Sequence, residues 1–181
     1  MSYMKKGPAL FPIALFVAFF LVSAFSAYSW WQCKEKNEEM LKDVYTEFEI
    51  NRQELENIGQ SFEYILQSNA SDDVILLYTV KYRDHVHVVK NVFDFLWSYS
   101  KDEREKFWRL RTAMSNLEDF LSSAAFKSHE ERKMMLSENL ETLKKFDALF
   151  KELNNYRDPC DISDDLAERA FNLSEQLKWQ P

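Results

Sequence analysis

Glycine and proline are almost missing from this chain. Its 181 residues hold two glycines, Gly7 and Gly59, and four prolines, Pro8, Pro12, Pro159 and Pro181. Hairpins need residues at positive φ, and phosphate-cradling loops need backbone without side chains. Neither can be built here, so Rossmann fingerprints, P-loops and nucleophile elbows are excluded by composition. Histidine and cysteine are scarce too, at three and two. No Ser-His-Asp or Cys-His arrangement stands out, and the acidic residues fall on the polar faces of helices, where solvation is the default. The expectation is that the chain is not an enzyme: no catalytic residue, metal ligand or cofactor is assigned.

Charge is also one-sided. Residues 34–181 carry 21 Lys or Arg against 30 Asp or Glu, a net of −9. A nucleic-acid partner needs clustered Lys and Arg, and this surface does not supply them.

What the chain does have is a long apolar run. Ala9–Trp31 is 23 residues without a charge, preceded by Lys5 and Lys6 and followed by charged sequence from Lys34. A run of that length can cross a hydrocarbon core about 30 Å thick, with Lys5, Lys6, Trp30 and Trp31 as interface residues. The short basic start resembles an export signal. It places the N-terminus in the cytoplasm and residues 34–181 outside, periplasmic or extracellular. The competing reading is cleavage near Ala24, which leaves a secreted soluble protein. The division expected is 1–33 as signal-anchor or transmembrane segment and 34–181 as extracytoplasmic domain.

Beyond the run the periodicity is helical throughout. Leu41, Val44, Phe48, Asn51, Leu55, Ile58, Phe62 and Ile65 step by three and four, a coiled-coil-like seam that predicts one long helix over 34–68. Val74–Ser98 is rich in strand formers but contains no turn signal. Ile75, Tyr78, Tyr82, His85, Val89, Val92, Leu96 and Tyr99 keep the helical step, so it reads as a buried helix. Ser100–Glu103 and Ser128–Glu131 are capping boxes that start a third and a fourth helix. The third carries Phe107, Leu110, Met114, Leu117, Leu121 and Ala124 inside. The fourth carries Leu136, Leu143, Phe146, Phe150 and Leu153 and ends at Asp158-Pro159. A short fifth helix runs from Ser163 to about Lys178. Short connections force antiparallel neighbours. The fold expected is all-α: an N-terminal transmembrane or signal helix, then an up-down-up-down four-helix bundle with a short fifth C-terminal helix.

Few side chains stand apart from that pattern. Cys33 and Cys160 fall at the same end of such a bundle and form the disulfide candidate, against unpaired thiols or a bridge between two chains at Cys33. Asn51, His85 and Asn139 are polar residues on apolar seams. They are register-fixing or tolerated positions, or the contacts of a small molecule held between helices. Asp84-His85-Val86-His87 has the look of a metal cluster, but positions two apart on a helix point away from each other. Trp97, Trp108 and Trp179, with Phe95, Phe120 and Phe126, fall partly off the seams and are candidates for a partner-facing patch. Asn69-Ala-Ser71 and Asn172-Leu-Ser174 match the glycosylation acceptor pattern.

The leading expectation is a membrane-anchored extracytoplasmic helical bundle acting through protein–protein contacts, as a structural, regulatory or inhibitory component of an envelope complex. Its partners would be the membrane and another envelope protein, with a homo-oligomer left open. The alternative is a small-molecule-binding sensor bundle.

Overall fold

The computed structural model describes the backbone of residues 10–179 and the side chains of 16, 17 and 19–179. Lys5 and Lys6, two of the expected interface residues, lie outside them. Among the described residues the chain is helical, with no strand. The strand-forming composition of Val74–Ser98 is overridden by its apolar spacing, as expected. The chain divides into two compact units, Met1–Met40 and Leu41–Pro181.

The first unit is built on helix α1, Leu10–Glu47, which continues into the second. Phe16, Val17, Phe19–Val22, Phe25, Tyr28, Trp30 and Trp31 are all exposed on it. Among the described residues no helix is long and apolar enough to cross a membrane. The expected span over Ala9–Trp31 is therefore not supported by what is described, and the beginning of that run falls outside the described side chains.

In the second unit the predicted helix over 34–68 is not one helix. It comprises the end of α1, then α2 (Glu49–Glu54), a 3-10 turn (Leu55–Asn57) and α3 (Ile58–Gln67). The breaks lie at Phe48 (φ −100°, ψ 20°) and Asn57 (φ −130°, ψ 23°). The seam survives them, because Leu41, Leu55, Ile58, Phe62 and Ile65 are buried and Val44 and Phe48 pack against the core. Asn69 ends this stretch with φ 49°, a left-handed conformation that Asn tolerates better than most residues.

Helix α4 (Asp72–Tyr99) follows and packs along α5 (Arg104–Phe126). The expected inner face of α5 is fully buried. Ser100 caps only one way: its Oγ accepts from the Glu103 N–H at 3.2 Å, while the Glu103 carboxylate pairs with Lys106 at 2.9 Å. The Ser128–Glu131 capping box is complete.

The fourth predicted helix is two, α6 (His129–Glu138) and α7 (Leu140–Leu153), divided at Asn139. It stops at Leu153 rather than at Asp158, whose side chain instead caps a 3-10 turn over Pro159–Asp161. Helix α8 (Asp164–Ser174) is shorter than expected, but it packs on both α5 and α7. Leu166, Ala167, Ala170, Leu173 and Leu177 are buried by those contacts. It is a full member of the bundle, not an appendage.

Candidate functional site

The second unit is fastened by buried polar side chains that reach helix ends, and these decide where open surface is left. Helix ends carry orphan N–H and C=O groups that must be satisfied when buried. Asp147 of α7, 3% exposed, accepts from the N–H groups of Gly59 at 2.7 Å and Gln60 at 3.0 Å. It caps the start of α3 from a different helix. Burial raises its carboxyl above the ordinary range, and the two N–H donors oppose that shift. Gly59 explains why the cap reaches. A Cβ at this residue would lie 2.4 Å from the Lys144 backbone N and 2.6 Å from the Leu143 carbonyl carbon. Helices α3 and α7 thus meet backbone to backbone, a contact that only glycine permits.

Arg52 treats the end of α1 in the same way. It is 2% exposed and donates to the Tyr45 carbonyl and, at 3.2 Å, to Asn154 Oδ1. Its guanidinium lies 3.6 Å from the centroid of the Tyr45 ring. Asn154 in turn donates to Glu56 at 2.7 Å. Tyr45 donates its hydroxyl to the Leu153 carbonyl at 3.0 Å, and burial pushes that phenol up to about 12.

Arg132 of α6, 4% exposed, closes a third corner. It donates to the Ala124, Ala125 and Lys127 carbonyls at the end of α5 and to Asp72 at the start of α4. His129 meets the same carboxylate at 2.9 Å. Lys106 holds the Cys160 carbonyl at 2.9 Å. None of these arrangements leaves a nucleophile beside a base. Among the described residues no group of three or more His, Cys, Asp or Glu is placed to hold a metal ion.

The polar seam residues are engaged with the protein itself. Asn51 and His85 come together, Oδ1 to Nδ1 at 3.0 Å. Burial lowers the His85 imidazole below its ordinary value, with Glu54 and Asp84 opposing and Lys81 adding to the shift. Asn139 lies apart from them. Its side-chain amide donates to the Met135 carbonyl at 2.8 Å and to the Lys178 carbonyl at 3.1 Å, and accepts from the Lys178 N–H at 2.7 Å. It fastens the segment after α8. His87 contacts Glu118 at 2.7 Å and Asn91 at 3.1 Å, on the outer side of α4.

The cysteines are free thiols, Cys33 exposed and Cys160 half-buried. Burial pushes the Cys160 thiol up to about 11, so the reactive thiolate is scarce at neutral pH. Each of the three candidate tryptophans has its own side-chain partner. Trp97 lies within 5.2 Å of both Arg104 and Arg111, Trp108 packs on Phe171 of α8, and Trp179 meets Phe120 edge-on. Trp30 and Trp31 are exposed on α1. Of the glycosylation patterns, Asn172-Leu-Ser174 has its serine buried, bonded to the Phe171 carbonyl and Asn116.

Open surface is left between α2–α3 and α4. Two adjoining hollows of about 330 and 350 Å³ share Asn57, Ser61 and Tyr78 and make one groove. One half is apolar, walled by Tyr64, Ile65, Ala70 and Val74; the other holds Ile50, Gln53 and the Glu54–Lys81 ion pair. The Tyr82 hydroxyl donates to Ser61 Oγ at 2.6 Å between the walls. Ile50 and Tyr64 line the groove yet are 70% and 73% exposed, and Leu77 on α4 is 63% exposed. The sequence hides this groove, because Tyr64 and Leu77 fall one position off their seams. The chain matches no protein-family model, no curated protein and no solved structure.

Proposed function

We propose that this chain is a membrane-anchored protein whose bundle acts through protein–protein contacts outside the cytoplasm, as a component of an envelope complex. The observation that carries the reading is the exposed apolar surface of α1 from Phe16 to Trp31. That many exposed aromatic and aliphatic side chains on the uncharged stretch of one helix call for a lipid or protein environment. Trp30 and Trp31, followed by Lys34, Lys36 and acidic residues, suit the point where an anchor leaves the interface.

The small-molecule reading is weaker. Its three candidate contacts are spent on the protein: Asn51 and His85 on each other, Asn139 on Lys178. Among the described residues no grouping of side chains argues for an enzymatic role.

Membrane fractionation tests the reading. The full chain stays in the membrane pellet after alkaline carbonate extraction, and a chain lacking residues 1–31 moves to the soluble fraction. Recovery of the full chain in the carbonate supernatant would overturn the anchor. Chemical cross-linking in intact membranes then joins the anchored chain to a second, defined protein.

A further inference from the structure

Helix α3 begins on a carboxylate that belongs to another helix. Asn57 stands at its N-cap and makes no side-chain cap bond. Asp147 of α7 supplies the acceptors instead, one oxygen for each donor. The Gly59 N–H meets Oδ1 at 2.7 Å and the Gln60 N–H meets Oδ2 at 3.0 Å. The arrangement needs both oxygens as acceptors. A protonated carboxyl makes one of them a donor, so a single proton sets an O–H against one of the two N–H groups.

Little around Asp147 resists that proton. The side chain is buried, and the charged or titratable groups facing it are Lys144 and Lys151 of its own helix and the Tyr82 phenol of α4. Lys144 is held by Glu63 of α3 at 2.5 Å and by Glu141 at 3.4 Å, and the Tyr82 hydroxyl donates to Ser61. Glu56, on the 3-10 turn that packs against α7, accepts from Asn154. Burial raises the Asp147 carboxyl, so the folded chain takes up this proton at higher pH than the unfolded chain does. Acid therefore reaches the carboxyl while the bundle is still folded.

The released donors have somewhere to go. The seam from Leu41 to Ile65 steps by three and four straight across the break at Asn57, with no proline and with Gly59 as its one glycine. A continuous helix bonds the Gly59 N–H to the Leu55 carbonyl and the Gln60 N–H to the Glu56 carbonyl. The unbroken helix is what the local spacing encodes; the break is what α7 imposes.

We propose that Asp147 is a proton-operated clasp: ionised, it holds the break at Asn57, and protonated, it releases the start of α3 to continue the helix from α2. The device is independent of the anchor, since every part of it lies in the second unit.

The test uses the full chain in non-ionic detergent, with spin labels on Ile50→Cys and Gln67→Cys, both exposed, in a Cys33→Ser/Cys160→Ser background. An unbroken helix sets their Cα atoms about 26 Å apart at 1.5 Å per residue. Pulsed double electron–electron resonance at neutral pH records the broken form. On acidification a population at the unbroken distance grows at least tenfold, with helical circular dichroism retained, and neutralisation reverses it. Asp147→Asn places an amide NH2 where the acid has its O–H. It shows the unbroken distance at neutral pH and no further response to acid. Hydrogen exchange at Gly59 and Gln60, corrected for intrinsic rate, separates continuation from fraying, because the continued helix keeps both amides protected. A parent distance indifferent to pH, acid unfolding before any such population appears, loss of protection at both amides, or a variant that keeps the parent's distance and pH response would each overturn the proposal. Should Asp147→Asn fail to fold, the parent's acid titration decides alone.

Discussion

Gly59, Asp147, Asn139 and Arg132 show how single side chains set this fold. Gly59→Ala inserts a methyl group where backbone atoms of Lys144 already stand, and overpacking of that kind costs about 3 kcal/mol. The expected result is a fall in the urea midpoint with an unchanged slope; an unchanged midpoint would mean that α3 and α7 are not in backbone contact. Arg132→Met strips donors from three carbonyls and a cation from Asp72. It costs about 3 kcal/mol, read by the same denaturation. Asn139→Ala costs about 2 kcal/mol, and hydrogen exchange at the Lys178 amide accelerates well beyond that of α5. His85 gives the pH dependence. Its folded-state imidazole titrates below the unfolded value, so the unfolded chain binds more protons in the window just below the ordinary histidine range. Stability contributed here is present above pH 6.5 and lost as pH falls through that window. His85→Gln keeps a partner for Asn51 and flattens that part of the stability–pH curve; an unaltered curve would contradict the assignment.

At the scale of elements, the seams are what the sequence displays and the breaks are what it hides. Every expected inner residue of α5 and α7 is buried, and α4 is a helix despite its Val, Ile and Tyr content. Period-3.6 spacing of apolar residues reports burial directly, which is why those elements are legible. The interruptions at Phe48, Asn57 and Asn139 carry no glycine or proline. Arg52 bridges the first locally, donating to the Tyr45 carbonyl 7 residues back, whereas Gly59 beside the second bonds Asp147, 88 residues on, and Asn139 bonds the Lys178 backbone, 39 residues on. The two breaks satisfied from distant segments leave no signal of their partners in the local sequence. The candidate site was hidden for the same reason. Asn51 and Asn139 are visible as polar residues on apolar seams, but their partners are not. The groove is lined jointly by α2–α3 and α4, which no pattern within either helix records. Asn154→Ala tests one such junction. It removes a partner from both Arg52 and Glu56 and speeds exchange of the α2 amides while leaving α5 protected.

At the scale of the whole molecule, two features ask for company. One is the exposed apolar length of α1, which suits lipid; the other is the open furrow between α2–α3 and α4, whose charged lining is the Glu54–Lys81 ion pair. The anchored orientation is the claim on which that account turns, and exposed Cys33, just beyond Trp30–Trp31, is its natural reporter. The direct measurement is labelling of Cys33 in intact expressing cells with a membrane-impermeant maleimide, using Cys33→Ser to subtract the Cys160 signal. The account predicts labelling of intact cells equal to that of lysed cells. Labelling that appears only after lysis would contradict it.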